Sequence, residues 1–188
     1  MRKTALFLSH LLNPSMLALL VFGALGWQEE WFIGVVGAGV YAVLPGLSLL
    51  LLVRLRRLDQ IYPDDRGVRG VLLLQGALCY ALGWGVLYGL GASLLVLVTA
   101  ATFVVNTLSI WVINRHWKIS IHAAGVGGTS CILLVSVGEL AWPFVLSLPA
   151  ITWARLYLRA HTPVQIGAGA ANSTASPWHN DRMSSRNF

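Results

Sequence analysis

Six stretches of this chain are apolar for about twenty residues each, the length an α-helix needs to cross a hydrocarbon core of roughly 30 Å. They cover 6–27, 31–53, 71–90, 94–113, 123–140 and 142–158. Lipid offers no hydrogen bonds, so a single spanning segment must satisfy its own backbone, and an α-helix does this. The expected fold is all-α, a polytopic membrane helix bundle with about six transmembrane helices, occupying residues 1–171 as one domain. Composition points the same way. The 188 residues are 56% hydrophobic and 11% charged, against about 25% charged in an ordinary soluble domain. Arg2 and Lys3 precede the first apolar run as in a signal peptide, but no small-residue cleavage site follows and the run reaches spanning length. Beyond Ala171 the stretch 172–188 is polar and lacks an apolar helical period, so it reads as a disordered tail. Cys79 and Cys131 sit inside apolar blocks at no metal-ligand spacing and read as small core residues. The glycines at 83, 85, 89 and 91 suit close helix packing; neither they nor Gly125, Gly127 and Gly128 follow a strand, which excludes a nucleotide loop.

Charge sets the orientation. With six spans and the N-terminus inside, all thirteen Lys and Arg fall on the inner side or at its helix ends, while Glu29, Glu30 and Glu139 fall outside. Five of those cations, Arg66, Arg69, Arg115, Lys118 and Arg155, are candidates for chemistry. Setting them aside still leaves the balance wholly positive on one side. The positive-inside rule then makes that face cytoplasmic. The expected location is a bacterial or archaeal cell membrane. The net charge of +6 is accounted for by loops facing an anionic leaflet or by a pocket for an anion, without nucleic acid.

Three segments of the basic face are chemically unusual. The first runs from Arg54 to Arg69, the second from Asn114 through Arg115, His116, Lys118 and Ser120 to His122, the third from Trp153 through Arg155, Arg159 and His161 to Gln165. Arg54, Arg56 and Arg57 read as topology signals, and His116 beside Trp117 as an interfacial residue. His122 and His161 differ, because each stands at a helix end with a cation at fixed spacing, and ionisable groups buried near a membrane face are functional candidates. Arg, Lys, Ser and two His converging on one face are what phosphoryl transfer needs. Cations hold the equatorial oxygens, one imidazole attacks, and another protonates the leaving oxygen.

The pattern resembles the type 2 phosphatidic acid phosphatase superfamily over roughly residues 54–170. Arg155, five residues and His161 match its third motif, Ser-Arg-x5-His-x3-Asp, and Ala-Arg-Leu-Tyr-Leu-Arg-Ala-His-Thr-Pro is similar to its usual wording. Ile119-Ser120-Ile121-His122 keeps the Ser and His of the second motif, Pro-Ser-Gly-His. The resemblance implies that His161 is the nucleophile, forming a phosphohistidine, and that His122 protonates the departing alkoxide. It implies that Arg155, with the backbone and hydroxyl of Ser120, binds the phosphate. The first motif, Lys-x6-Arg-Pro, matches only at Arg66, with Asp59 in place of the lysine and Gly67 in place of the proline; Lys118 or Arg69 would supply the missing charge. Gln165 stands where the family has Asp, and from one helical turn beyond His161 it would orient the imidazole without adding charge. No apolar helix is expected after the third motif.

The expected function is a membrane phosphatase or phosphotransferase that hydrolyses a lipid-linked phosphate or diphosphate, with no cofactor and no metal, and with a membrane lipid bearing a phosphate headgroup as its partner. A non-catalytic relative that binds anionic headgroups or assembles with another membrane protein is the alternative. Gln165 and the incomplete first motif favour it; the retained Arg155, Ser120, His122 and His161 oppose it. A transporter would show repeated halves or broken polar helices in mid-membrane, and the mid-span polar residues are few, among them Gln75, Thr99 and Asn106.

Overall fold

A computed structural model describes residues 1–55 and 66–174. Among them no strand occurs. The helices are α1 (Arg2–Leu11), α2 (Pro14–Gln28), α3 (Trp31–Ala38), α4 (Leu44–Arg54), α5 (Arg66–Gly89), α6 (Leu94–Asn114), α7 (Ile121–Val137), α8 (Trp142–Val145), α9 (Ser147–Tyr157) and α10 (Pro163–Thr174). The loop arginines Arg56 and Arg57, and the tail from residue 175 on, lie outside the described residues.

Four helices are long and apolar enough to cross a membrane: Trp31–Arg54, Gly67–Gly89, Leu94–Asn114 and Ile121–Val145. The protein is thus an α-helical membrane bundle. Its outward faces carry Leu47, Leu51, Leu78, Leu82 and Val105, all exposed. Exposed aromatics gather towards both ends, Trp27, Trp31 and Trp142 at one and Trp117 and Tyr157 at the other, as in the aromatic belts of membrane proteins.

Two of the six expected spans differ from expectation. The first is broken. Asn13 has extended backbone and its side chain accepts from the Ser15 N–H at 2.9 Å, while Pro14 opens α2. An N-cap followed by Pro is a helix start, and the residue before a proline is pushed out of the helical region. Here that restarts the helix inside a continuous apolar run, and α1 meets α2 at 45°. The sixth span is replaced by two pieces. Gly138 has φ +63°, in the left-handed region, and Pro143 begins the four-residue α8. The helix that follows, α9, has 11 residues, about 16 Å at 1.5 Å per residue, too short to cross. It runs back along α7 and packs on α1.

A proline also shapes the second span. Pro45 lacks an N–H, and its ring crowds the carbonyl four residues before, that of Tyr41. The helix accommodates it by widening into a π-turn over Gly39–Val43. This turn buries Tyr41 in the core, where its hydroxyl donates to the Tyr80 carbonyl at 2.8 Å. Its ring packs with those of Phe22, Tyr80 and Phe103 at centroid distances of 4.6, 5.1 and 5.3 Å.

The first residues of the expected tail, 172–174, are helical. Residues 163–174 form α10, which lies against α7. The contact is made by backbone rather than by bulk: a methyl group at Gly127 would meet the Ala170 carbonyl, and one at Gly169 the Ser120 carbonyl. Small residues that let helices approach this closely drive packing inside membranes. Asn172 and Ser173 then donate to the Asn106 side chain on α6 at 2.7 and 3.1 Å. A helix therefore does follow the third motif, held by small residues and amide hydrogen bonds instead of an apolar stripe.

Candidate functional site

The helices α2, α4, α5, α6 and α7 enclose a cavity of about 910 Å³. On α5 its lining runs from Arg69 to Tyr80, and on α7 from Ile121 to Ile132. Eleven residues of helix span about 16 Å, so the cavity reaches roughly halfway across a 30 Å core. Its deep part is mostly apolar, with Leu17, Leu49, Leu72, Phe103 and Ile132, and it holds a few polar groups such as Gln75, Asn106 and Thr129. Its mouth carries Arg69, Lys118, Arg155, Arg159, His122 and His161. The three described carboxylates, Glu29, Glu30 and Glu139, lie at the other end of the bundle; there Glu29 accepts from Ser93 at 2.5 Å. Among the described residues, then, the cations of the mouth face no carboxylate.

Each residue reaches the mouth by a distinct route. Arg69 is in the first turn of α5 and donates to the Ile119 carbonyl at 3.3 Å. Lys118 sits in the short connection before α7, and His122 in the first turn of α7, where the main chain of Ser9 hydrogen-bonds it. The bend between α1 and α2 brings Ser9 and His10 to the back of that imidazole. Arg155 occupies the last turn of α9, where the helix dipole favours a cation.

The chain then turns sharply. The Arg159 N–H donates to the Leu156 carbonyl at 2.9 Å and the Ala160 N–H to the Arg155 carbonyl at 3.1 Å. This is a Schellman motif, which demands a left-handed residue at the position of Arg159. Arg159 has φ 51°, and no other described non-glycine residue has positive φ. That conformation costs an L-residue about 1–2 kcal/mol. The turn delivers His161 back to the cavity beside Arg155.

His161 is half-buried. Burial, and then the charges of Arg155, Arg69 and Lys118, push it down to about 4, opposed by a hydrogen bond that its ring donates to the Gln165 side chain. Its imidazole is therefore neutral near pH 7, with a lone pair free for attack or coordination. Arg155 acts on both imidazoles, and His161 acts on His122. The arrangement can hold a multiply charged oxyanion between a neutral imidazole and three cations.

Three expected site residues stand elsewhere or serve otherwise. Ser120 is fully buried and does not line the cavity. Its hydroxyl caps α7 by accepting from the Ala123 N–H at 3.3 Å, and its own N–H donates to the Gln165 carbonyl at 3.1 Å. Both groups proposed to bind phosphate are thus spent on structure. Gln165 does reach His161, but not along one helix face, because the bend at residues 159–162 separates them. Thr162 is the N-cap of α10 and Gln165 its third residue; the Gln165 side chain accepts from the Thr162 N–H at 3.0 Å, and the Thr162 hydroxyl accepts from the Gln165 N–H at 3.3 Å. This reciprocal pair is a capping box. Arg66 opens α5, and its side chain lies outside the described residues. His116 is exposed and away from the cavity, and Arg115 lies 5.2 Å over the Trp111 ring.

The cavity also contains residues that the motif reading passed over, Arg159, Asn13, Ser15 and Thr107 among them. Arg159 follows Arg155 by one turn and was legible as part of the same basic cluster. The α2 residues carried a signal only in the Asn-Pro helix start. No protein-family model, curated protein or solved structure matches this chain.

Proposed function

We propose that the protein is a membrane phosphatase or phosphotransferase of the type 2 phosphatidic acid phosphatase kind, acting on a lipid-linked phosphate or diphosphate. The observation that supports this reading is the cavity itself: four cations and two imidazoles at one mouth, no described carboxylate beside them, and an apolar depth continuous with that mouth. A phosphate headgroup fits the first part and its hydrocarbon chain the second.

In this reading Arg155, Arg69 and Lys118 hold the phosphoryl oxygens. The neutral His161 forms a nitrogen–phosphorus bond at the terminal phosphorus as its bond to the leaving oxygen breaks. That oxygen belongs to the lipid alcohol in a monophosphate and to the lipid monophosphate in a diphosphate. The departing oxygen takes a proton from His122, which acts in its imidazolium form, favoured by the negative charge of the bound phosphate. Water then attacks the phosphohistidine, giving its proton back to His122, and phosphate and free His161 are released. Ser120 supports this site from behind as the cap of α7 and takes no part in binding. By the positive-inside rule the mouth faces the cytoplasm. Phosphate release from phosphatidate, phosphatidylglycerophosphate and polyprenyl diphosphate, measured in detergent with EDTA present, tests the reading; turnover of at least one is expected.

A second reading has one observation in its favour. The Gln165 oxygen is already committed to capping α10, so the carboxylate-like support that a nucleophilic His uses is weak here. A protein that binds anionic headgroups without turnover would retain affinity for those lipids and release no phosphate from any of them.

A further inference from the structure

Arg159 occupies the one backbone position in the site where its side chain is the wrong choice for the turn. The C′ position of a Schellman motif is filled by glycine for lack of a Cβ penalty, yet an arginine holds it at φ 51°. Strain of this kind, maintained at the wall of a cavity, points to a use for the side chain. Arg159 lines the cavity mouth and is exposed. Its guanidinium makes no hydrogen bond or ion pair with any described residue. The mouth therefore carries one cation, Arg159, that the roles given to Arg155, Arg69 and Lys118 leave unused.

We propose that Arg159 is a second anion subsite, which takes the lipid-bound phosphate of a diphosphate while Arg155, Arg69 and Lys118 hold the terminal phosphate next to His161. Attack then breaks the P–O–P bridge, and the lipid monophosphate leaves. The inference deepens the phosphatase reading by choosing diphosphate over monophosphate, and for that choice it rests on that reading. Arginine suits the role because its planar fork of N–H donors matches phosphate oxygens two at a time.

The test uses the purified full chain in detergent, with inorganic diphosphate and orthophosphate as the probes and titration calorimetry as the readout. The wild type should bind diphosphate more tightly than orthophosphate. Arg159→Gly should weaken diphosphate binding by about tenfold or more, the loss expected for one charged hydrogen-bonding partner, and leave orthophosphate binding nearly unchanged. Because glycine is the residue this turn prefers, the same variant should unfold at an equal or higher temperature, which separates lost recognition from lost structure. Arg159→Lys should recover part of the preference through its charge. A wild type that binds both anions equally, or an Arg159→Gly protein that keeps the full preference, overturns the proposal. A protein that keeps the preference for diphosphate and loses it in Arg159→Gly, yet releases no phosphate from any lipid, overturns the phosphatase reading and leaves the subsite standing.

Discussion

The two ends of this bundle are built from the same helices and do opposite things. At the end bearing Glu29 and Glu139, α2, α3, α5 and α6 close on one another. Gly26 and Gly34 bring α2 and α3 into backbone contact, Phe22, Tyr41, Tyr80 and Phe103 interlock, and the Gln28 side chain donates to the Ser136 carbonyl at 3.0 Å. At the other end the helices part around the cavity. There Gly46 and Gly76 line open space, with nothing within 4 Å of where a Cβ would stand. Glycine thus has two contrary uses in one molecule. At one end it removes a side chain so that backbones meet, and at the other so that they leave room. The difference teaches that the packed end carries the stability that lets the cationic end remain open.

The comparison breaks most decisively at His161. His161→Ala should lower phosphate release by at least about 10³-fold, as removal of a nucleophile does, without changing the thermal unfolding temperature, because the packed end is untouched. Full activity in that variant would remove the nucleophile from the scheme. The glycines sharpen the contrast next. Gly26→Leu forces a side chain into the Gly34 backbone and should destabilise by about 1–3 kcal/mol or more. Gly76→Leu should leave the unfolding temperature nearly unchanged and instead slow turnover of long-chain lipids, while a short-chain phosphate ester is spared. Equal destabilisation by the two would show that the cavity is not a preformed space.

Acidity gives a smaller and more specific signal. His161 titrates near 4 when folded and near 6.5 otherwise, so the folded state binds fewer protons between those values. Its contribution to stability is complete above about 6.5 and declines as the pH falls through 4. The acid limb of kcat/KM should accordingly lie near 4 rather than 6.5. The smallest effect concerns Gln165. Glutamate has the length to keep the capping box with Thr162, which aspartate does not, and its carboxylate would favour the imidazolium. Gln165→Glu should raise turnover several-fold, up to about tenfold, and move the acid limb upward. A limb that stays in place in a folded variant would mean that residue 165 does not act on His161.

Much of the architecture was legible because hydropathy reports it directly. The spans that hold α3 with α4, α5, α6 and α7 follow from apolar length, and the single basic face from the placement of Lys and Arg. The break at Asn13–Pro14 was written locally, as an N-cap followed by a proline, but it lies inside an unbroken apolar run, and averaging over twenty residues hides it. Helix α10 was hidden for the opposite reason: Gly167, Ala168, Gly169 and Ala170 carry little hydropathy, and they pack through backbone proximity that only the facing glycines of α7 reveal. The convergence of Arg155, His122 and His161 could be read from motif spacing. Ser120 could not be assigned that way, since a serine before a helix offers the same hydroxyl and N–H to a phosphate or to its own helix. Which it serves depends on Gln165, forty-five residues further along the chain, whose carbonyl takes the Ser120 N–H.

That one main-chain hydrogen bond also has a bearing on how the protein is made. Chains emerge N-terminal end first, at about 5–20 residues per second, so Gln165 leaves the ribosome several seconds after Ser120. In that interval α2, α5, α6 and α7 can already sit in the bilayer with Arg69, Lys118 and His122 in place. The wall bearing Arg155 and His161 has yet to arrive. The nascent protein thus passes through a stage in which a basic cleft stands open to the headgroups of the surrounding lipid, with His161 absent. The mouth is completed in one late step, when α10 docks on α7 and the two halves of the cavity rim are tied together.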